Sequence, residues 1–185
     1  AIYYNRQGEF TNDGVDDGLR YALNDDANAN DFQDEKGNYD FQALKQNSFI
    51  MPSDIVIAGF MNEIYRNTVH PGLSHAEGAG VEKMTVKDGQ VVSEWILGGW
   101  TSEKPQRTDA QGDASEFVKE AVSKAGGWHN VSYTLHTHPF QSTGSIMPSN
   151  SEILGGDIQT ARNKGVPGIA ANNKGAVFYN GAGQT

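Results

Sequence analysis

The sequence predicts an α+β domain, and three observations carry that expectation. From Pro52 onward the apolar pattern changes period repeatedly, in the order α-β-β-α-β-α-β-β, with no internal repeat. Asp88-Gly89 sits between two apolar-rich runs, a strong signal for an antiparallel hairpin. Hydrophobic residues make up only 37% of the chain, while Gly numbers 22 and Pro 6, which favours a loop-rich domain over a helical bundle.

The same composition narrows the function classes. Fourteen Lys and Arg against 23 Asp and Glu leave a net charge of −9 over 185 residues. An acidic chain has no general grip on phosphate backbones, so no nucleic-acid partner is expected. No apolar stretch approaches membrane-spanning length, and Ala1-Ile2-Tyr3-Tyr4 does not read as a signal peptide. Membrane contact is not expected either. The absence of Cys removes disulfides, thiolate nucleophiles and Cys-based zinc sites together. Any metal must therefore be held by carboxylates and by some of the five His.

The elements follow in chain order. Residues 1–51 read as a loop-rich N-terminal extension: a short strand at Ile2-Tyr3-Tyr4, turn chemistry at Asn12-Asp13-Gly14 and Asp16-Asp17-Gly18, then an acidic run from Asn24 to Asp31 without periodicity. That run lacks the glutamate that closes an EF-hand, so a solvated loop is expected. Residues 52–185 form the second part. Ile57, Phe60, Met61, Ile64 and Tyr65 recur at helical spacing behind a Ser53-Asp54 cap, predicting a helix over 53–66. Asn67 to Gly80 reads as a loop, Val81–Val86 and Val91–Leu97 as the hairpin strands, and Gly98-Gly99 with Thr101–Gly112 as another loop.

Asp113-Ala114-Ser115-Glu116 resembles a capping box, and Phe117, Val118, Ala121 and Val122 supply one apolar stripe that Gly126-Gly127 ends. Val131, Tyr133 and Leu135 alternate with polar residues and predict a strand leading into His136. A Ser/Gly/Pro-rich loop runs to about Asn150, followed by a short helix ending at Gly165. Strands at Val166–Ala171 and Ala176–Tyr179 come last, and Gly181 to Thr185 reads as a frayed tail. Trp95, Trp100 and Trp128 are expected as core or core-edge aromatics, and His70, His75 and His129 as loop or helix-end residues.

The text with chemistry in it is Leu135-His136-Thr137-His138-Pro139. Residues two apart on a strand point to one face, so both imidazoles can meet one metal ion. A hydrolytic zinc site needs a third ligand, commonly a carboxylate, and an open fourth position for water. Zinc lowers the pKa of that water to about 7, and a separate carboxylate must take its proton and pass it to the leaving group.

HTHP at a strand end, then a loop, then Asp157-Ile158-Gln159-Thr160-Ala161 opening a helix, then Gly165-Val166-Pro167-Gly168-Ile169-Ala170 entering a strand, resembles the JAMM (MPN/JAB) metalloprotease family. The likeness covers residues 72–180 and is nearest to the JAB-like toxin domains at the C-termini of bacterial RHS-type polymorphic toxins. Ile2 to Phe10 also looks like the YD-type text that joins such tips to a carrier. The resemblance implies a JAMM/MPN-like (cytidine-deaminase-like) mixed sheet flanked by helices. It implies Zn²⁺ held by His136, His138 and Asp157, with a distant Glu as general base. Glu77, before the glycine-bearing Gly78-Ala79-Gly80, matches that base most closely, ahead of Glu94 and then Glu63. The family's oxyanion-stabilising Ser falls to Ser149 or Ser151.

The departures lie in the spacing. The family's H-x-H-x(10)-D becomes eighteen intervening residues between His138 and Asp157, the ten-residue spacing lands on Ser149, and Leu154 stands where a Ser is usual. In a rival register Glu152 replaces the Asp, although Ser149 and Glu152 also fit a capping box that needs no metal. The expected function is a secreted bacterial toxin or effector domain, delivered into a target cell, that hydrolyses peptide or isopeptide amides. A cognate immunity protein and a protein or peptide substrate are the implied partners. The alternatives are a metal-free JAMM-like binding module and a metal-dependent nuclease toxin, the latter disfavoured by the charge of −9.

Overall fold

A computed structural model of the chain describes residues 1–25, 27–68, 77–100, 113–138, 156–172 and 175–185. Two compact units are present, Ala1–Pro52 with Gln184–Thr185, and Ser53–Gly183. Both contain helices and strands, as an α+β chain should.

The first unit is more ordered than its composition suggests. Strands β1 (Ile2–Tyr4), β2 (Phe10–Asn12), β3 (Arg20–Leu23) and β4 (Ser48–Ile50) form a sheet in the order β2-β1-β3-β4, and helix α1 spans Phe41–Gln46. Tyr3 and Tyr21 are register partners on parallel strands, and their rings stack at 5.1 Å over a core completed by Leu23 and Leu44. The Asp-Gly turns fold back on the chain start. The Ala1 ammonium donates to Asp13 Oδ1 at 2.7 Å and to the Val15 carbonyl at 2.6 Å, and pairs with Asp17 Oδ1 at 2.9 Å.

The acidic run is not wholly irregular either. Asn28 caps a single 3-10 turn at Ala29–Phe32 by accepting from the Asn30 N–H. The last residue is tied down, since the Asp25 N–H donates to the Thr185 carbonyl at 3.0 Å, so the tail does not end in a frayed segment.

The second unit runs α2 (Asp54–Thr68), β5 (Gly78–Lys87), β6 (Gln90–Trp100), α3 (Asp113–Ala125), β7 (Val131–Thr137), α4 (Asp157–Lys164), β8 (Gly168–Asn172) and β9 (Gly175–Tyr179). Its five-stranded sheet has the order β6-β5-β7-β8-β9, with only the β7–β8 pair parallel. A helix must carry the chain across between parallel neighbours, and α4 does so. Asp88 and Gly89 turn the β5–β6 hairpin with positive φ of 52° and 78°, which this pair accommodates better than most.

Strand alternation sorts the sheet's residues into two faces. Tyr133, Leu135, Ile169 and Ala171 pack on Val56 and Phe60 of α2. Val81 packs on Ala121, Val122 and Ala125 of α3, joined by Val131, which the β-bulge opposite Glu82/Lys83 turns to the face opposite Tyr133 and Leu135, while Ala170 and Tyr179 pack on Ile158 and Ala161 of α4. Thus α2 covers one face, and α3 and α4 the other. Trp95 and Trp100 edge the first core and Trp128 the second.

Three local expectations are corrected. Val56 and Phe60 define the buried stripe of α2, whereas Met61 is exposed. Ser53 does not cap α2 with its hydroxyl, whose buried oxygen has no hydrogen-bond partner among the described residues. Its backbone N–H instead donates to Glu82 Oε2 at 2.8 Å, and Ser132 Oγ donates to the other carboxylate oxygen. Buried Glu82 is thereby accounted for as a structural carboxylate.

Gly78–Gly80 and Gly98–Gly99 lie inside strands rather than loops. Ala79 pairs with Gly99 and Gly80 with Leu97, so Gly98 is the extra residue of a β-bulge. A Cβ on Gly98 would stand 1.7 Å from the Phe117 carbonyl oxygen, a backbone atom of α3 that cannot swing aside. Glycine is there for closeness, not for a turn. Gly98→Ala is expected to force α3 off the sheet and to cost about 1–3 kcal/mol of stability or more. Urea unfolding measures it, and an unchanged midpoint would contradict this account.

Candidate metal centre

His136 is the sixth residue of β7, on the α3–α4 face, where the alternation of the strand puts it opposite Leu135. His138 follows the last strand residue and is still held in sheet geometry, because its N–H donates to the Ala171 carbonyl at 2.8 Å. The two imidazoles therefore project from one face, two residues apart. Asp157 opens α4, and the crossover that α4 makes brings this first turn to the C-terminal end of β7.

The three side chains converge on one point. His136 Nε2 lies 3.0 Å from His138 Nε2 and 3.3 Å from Asp157 Oδ2, and His138 Nε2 lies 3.6 Å from the same oxygen. Donors about 2.05 Å from a tetrahedral ion stand about 3.3 Å apart, the middle of the observed range. The circle through the three atoms has a radius of about 1.9 Å, which is compatible with one ion bonded to all three at that length. The residues fit a metal ion, and the group could hold one.

The donor set also has suitable chemistry. Two imidazoles and one carboxylate would hold a divalent ion and leave it with net positive charge, able to polarise water or a carbonyl. Side-chain exposure is 4% for His136 but 19% for His138 and 22% for Asp157, so among the described residues His136 is the buried ligand and the other two keep some accessible surface.

Glu77 precedes β5 and is only 5% exposed. Ala79 pairs with His136 across the β5–β7 ladder, so extending that register by two residues sets Glu77 opposite His138, on the ligand face. Thr137 staples the two strands at this point. Its hydroxyl accepts from the Gly78 N–H at 2.8 Å and donates to the Gly78 carbonyl at 3.4 Å, on a side chain with no exposed surface. Sequence reasoning did not single out Thr137, although it stands between the two histidines.

The rival bases are placed differently. Glu94 is 57% exposed on β6 and pairs with Lys83 of β5 at 3.8 Å. Glu63 belongs to α2, the helix covering the face opposite the histidines. Ser149, Ser151 and Glu152 lie outside the described residues, as do His70 and His75. His129 sits in a short 3-10 turn at Trp128–Asn130.

A neighbour that the sequence reading missed is Tyr179 on β9, 2% exposed, with its hydroxyl 3.5 Å from His136 Nδ1. Burial, and then the negative charge of Asp157, push its phenol well above the ordinary range, so it stays protonated. Compared with known protein families, curated proteins and solved structures, the chain matches none.

Proposed function

We propose that the second unit is a zinc-dependent amide hydrolase of the JAMM type, cutting a peptide or isopeptide bond. One observation carries the proposal: two histidines from a strand end and an aspartate from a helix start meet at the spacing of a tetrahedral site. Zinc is the natural occupant of a His₂Asp donor set with one open position, and when bound it supplies Lewis acidity toward water and the scissile carbonyl.

The chain's own residues do the rest. His136, His138 and Asp157 hold the ion, and the sheet behind His136 excludes solvent from one side. Glu77 takes a proton from the attacking water and returns it to the amine, so that the C–N bond breaks as the new C–O bond forms. Burial of Glu77 beside the ligand face supports that role. The resemblance of the HTHP and DIxxA text to JAB-like toxin tips extends the proposal: a secreted effector, delivered into a target cell and restrained at home by a cognate immunity protein.

The experiment is hydrolysis by the zinc-loaded full chain in H₂¹⁸O, with peptide and isopeptide-linked libraries read by mass spectrometry. Products with a new amine and one ¹⁸O in the new carboxylate are expected, abolished by chelator and restored by zinc. Cleavage of DNA or RNA instead would favour the nuclease alternative. No chelator-sensitive cleavage of any amide would leave the binding-module alternative ahead.

A further inference from the structure

Tyr179 reaches the metal centre from two strands away, and the route is built for it. On the β7–β8–β9 part of the sheet, Thr134 pairs with Gly168 and Gly168 pairs with Tyr179. All three therefore share the face that carries His136. A Cβ on Gly168 would lie 2.3 Å from the Tyr179 hydroxyl and 2.6 Å from Thr134 Oγ1. The missing side chain is what lets the phenol cross β8 and reach β7. It ends between Thr134, to which it is hydrogen-bonded, and His136, two residues further along the same strand.

We propose that Tyr179 is a positioning residue for His136: its hydroxyl, admitted over Gly168, accepts the Nδ1 proton and so turns Nε2 toward the metal. The inference rests on the reading of His136 as a metal ligand. A neutral imidazole has one N–H, and a ring that offers Nε2 to a metal must carry its proton on Nδ1. Tyr179 is the hydroxyl set to receive it. Thr134 Oγ1 stands beside the phenol on the same face, and the Thr134 hydroxyl donates to the Pro167 carbonyl at 3.5 Å. The Tyr179 hydroxyl and His136 Nδ1 stand 3.5 Å apart.

The edge-on approach of the two rings, with centroids 6.1 Å apart and an interplanar angle of 74°, is suited to this contact. Removing the hydroxyl need not disturb the packing, because a phenylalanine ring fills the same space against Ile158 and Ala161. That makes Tyr179→Phe a clean probe of the contact with His136.

Two measurements test the proposal on the full chain. Zinc affinity, by competition with a chromophoric chelator, is expected to fall about 10–100-fold in Tyr179→Phe, the usual effect of losing a partner behind a metal-bound histidine. Long-range ¹H–¹⁵N spectra of the metal-free chain, with the His136 ring neutral, are expected to show Nδ1–H in the wild type and less of it in the variant. A merely structural tyrosine would not move that tautomer. Equal zinc affinity in both proteins would overturn the proposal, as would a wild-type His136 protonated wholly on Nε2. If the wild type takes up no zinc, the hydrolase reading fails on that result, and the tautomer measurement still decides the role of Tyr179.

Discussion

The chain purified without a metal-binding tag is expected to carry about one zinc, and His136→Ala and Asp157→Ala to carry essentially none. The expectation follows from the ligand count. Three protein donors and an open position make a site, whereas two donors leave an ion to be held mainly by water. Asp157 is also the only carboxylate in the set, so its loss removes the charge that offsets the divalent ion. Elemental analysis reads the result directly.

Stability supplies a second readout. A ligand that binds only the folded chain adds about 2.7 kcal/mol at a free concentration of 100 times its Kd. Added zinc should therefore raise the Tm of the wild type and leave both variants unmoved. The two variants also guard against a folding artefact. His136 is buried and its truncation opens space beside Tyr179, whereas Asp157 is partly exposed. Glu152→Ala should keep its zinc. Loss in Glu152→Ala with retention in Asp157→Ala would transfer the third ligand to the rival register, and a wild type that stays empty after incubation with zinc would sink the site altogether.

How far the sequence discloses such a site depends on how local the information is. The order of elements after Pro52 was legible, because each has a run long enough to show its period and a turn or cap at its end. The strands of the first unit are three or four residues long, too short for alternation to register, and β1 alone was anticipated. Gly98-Gly99 reads as a breaker in isolation, and only the approach of the Phe117 carbonyl explains it inside a strand.

The site divides in the same way. His136 and His138 share a face by the geometry of any strand, which is a local fact. Asp157 was reached through resemblance, and the β7–α4–β8 crossover brings it to those histidines. Tyr179 is 43 residues from His136, and Gly168 looks like an ordinary loop-to-strand glycine until the phenol is seen above it. Nothing in one sequence marks a contact of that kind.

Glu77→Gln is expected to keep its zinc and to lose about 10²–10⁴-fold in kcat for amide hydrolysis. The two side chains have nearly the same shape, so the substitution leaves packing intact while removing the group that can accept a proton. Position supports the choice. Glu77 is buried, its register places it opposite His138, and the Thr137 hydroxyl holds the adjoining Gly78 to β7.

Its competitors are expected to fail the same test. Glu94→Gln removes an exposed partner of Lys83, and Glu63→Gln alters a helix on the other face of the sheet, so each should stay within a few-fold of wild type. Metal content separates the causes of any loss. Glu77→Gln that is inactive and zinc-free would make Glu77 a contributor to the centre rather than its base. Glu77→Gln that is zinc-loaded and nearly as active as wild type would assign the proton transfer to another group. A zinc-loaded and inactive variant, beside active Glu94→Gln and Glu63→Gln, is the outcome that the register across β5 and β7 predicts.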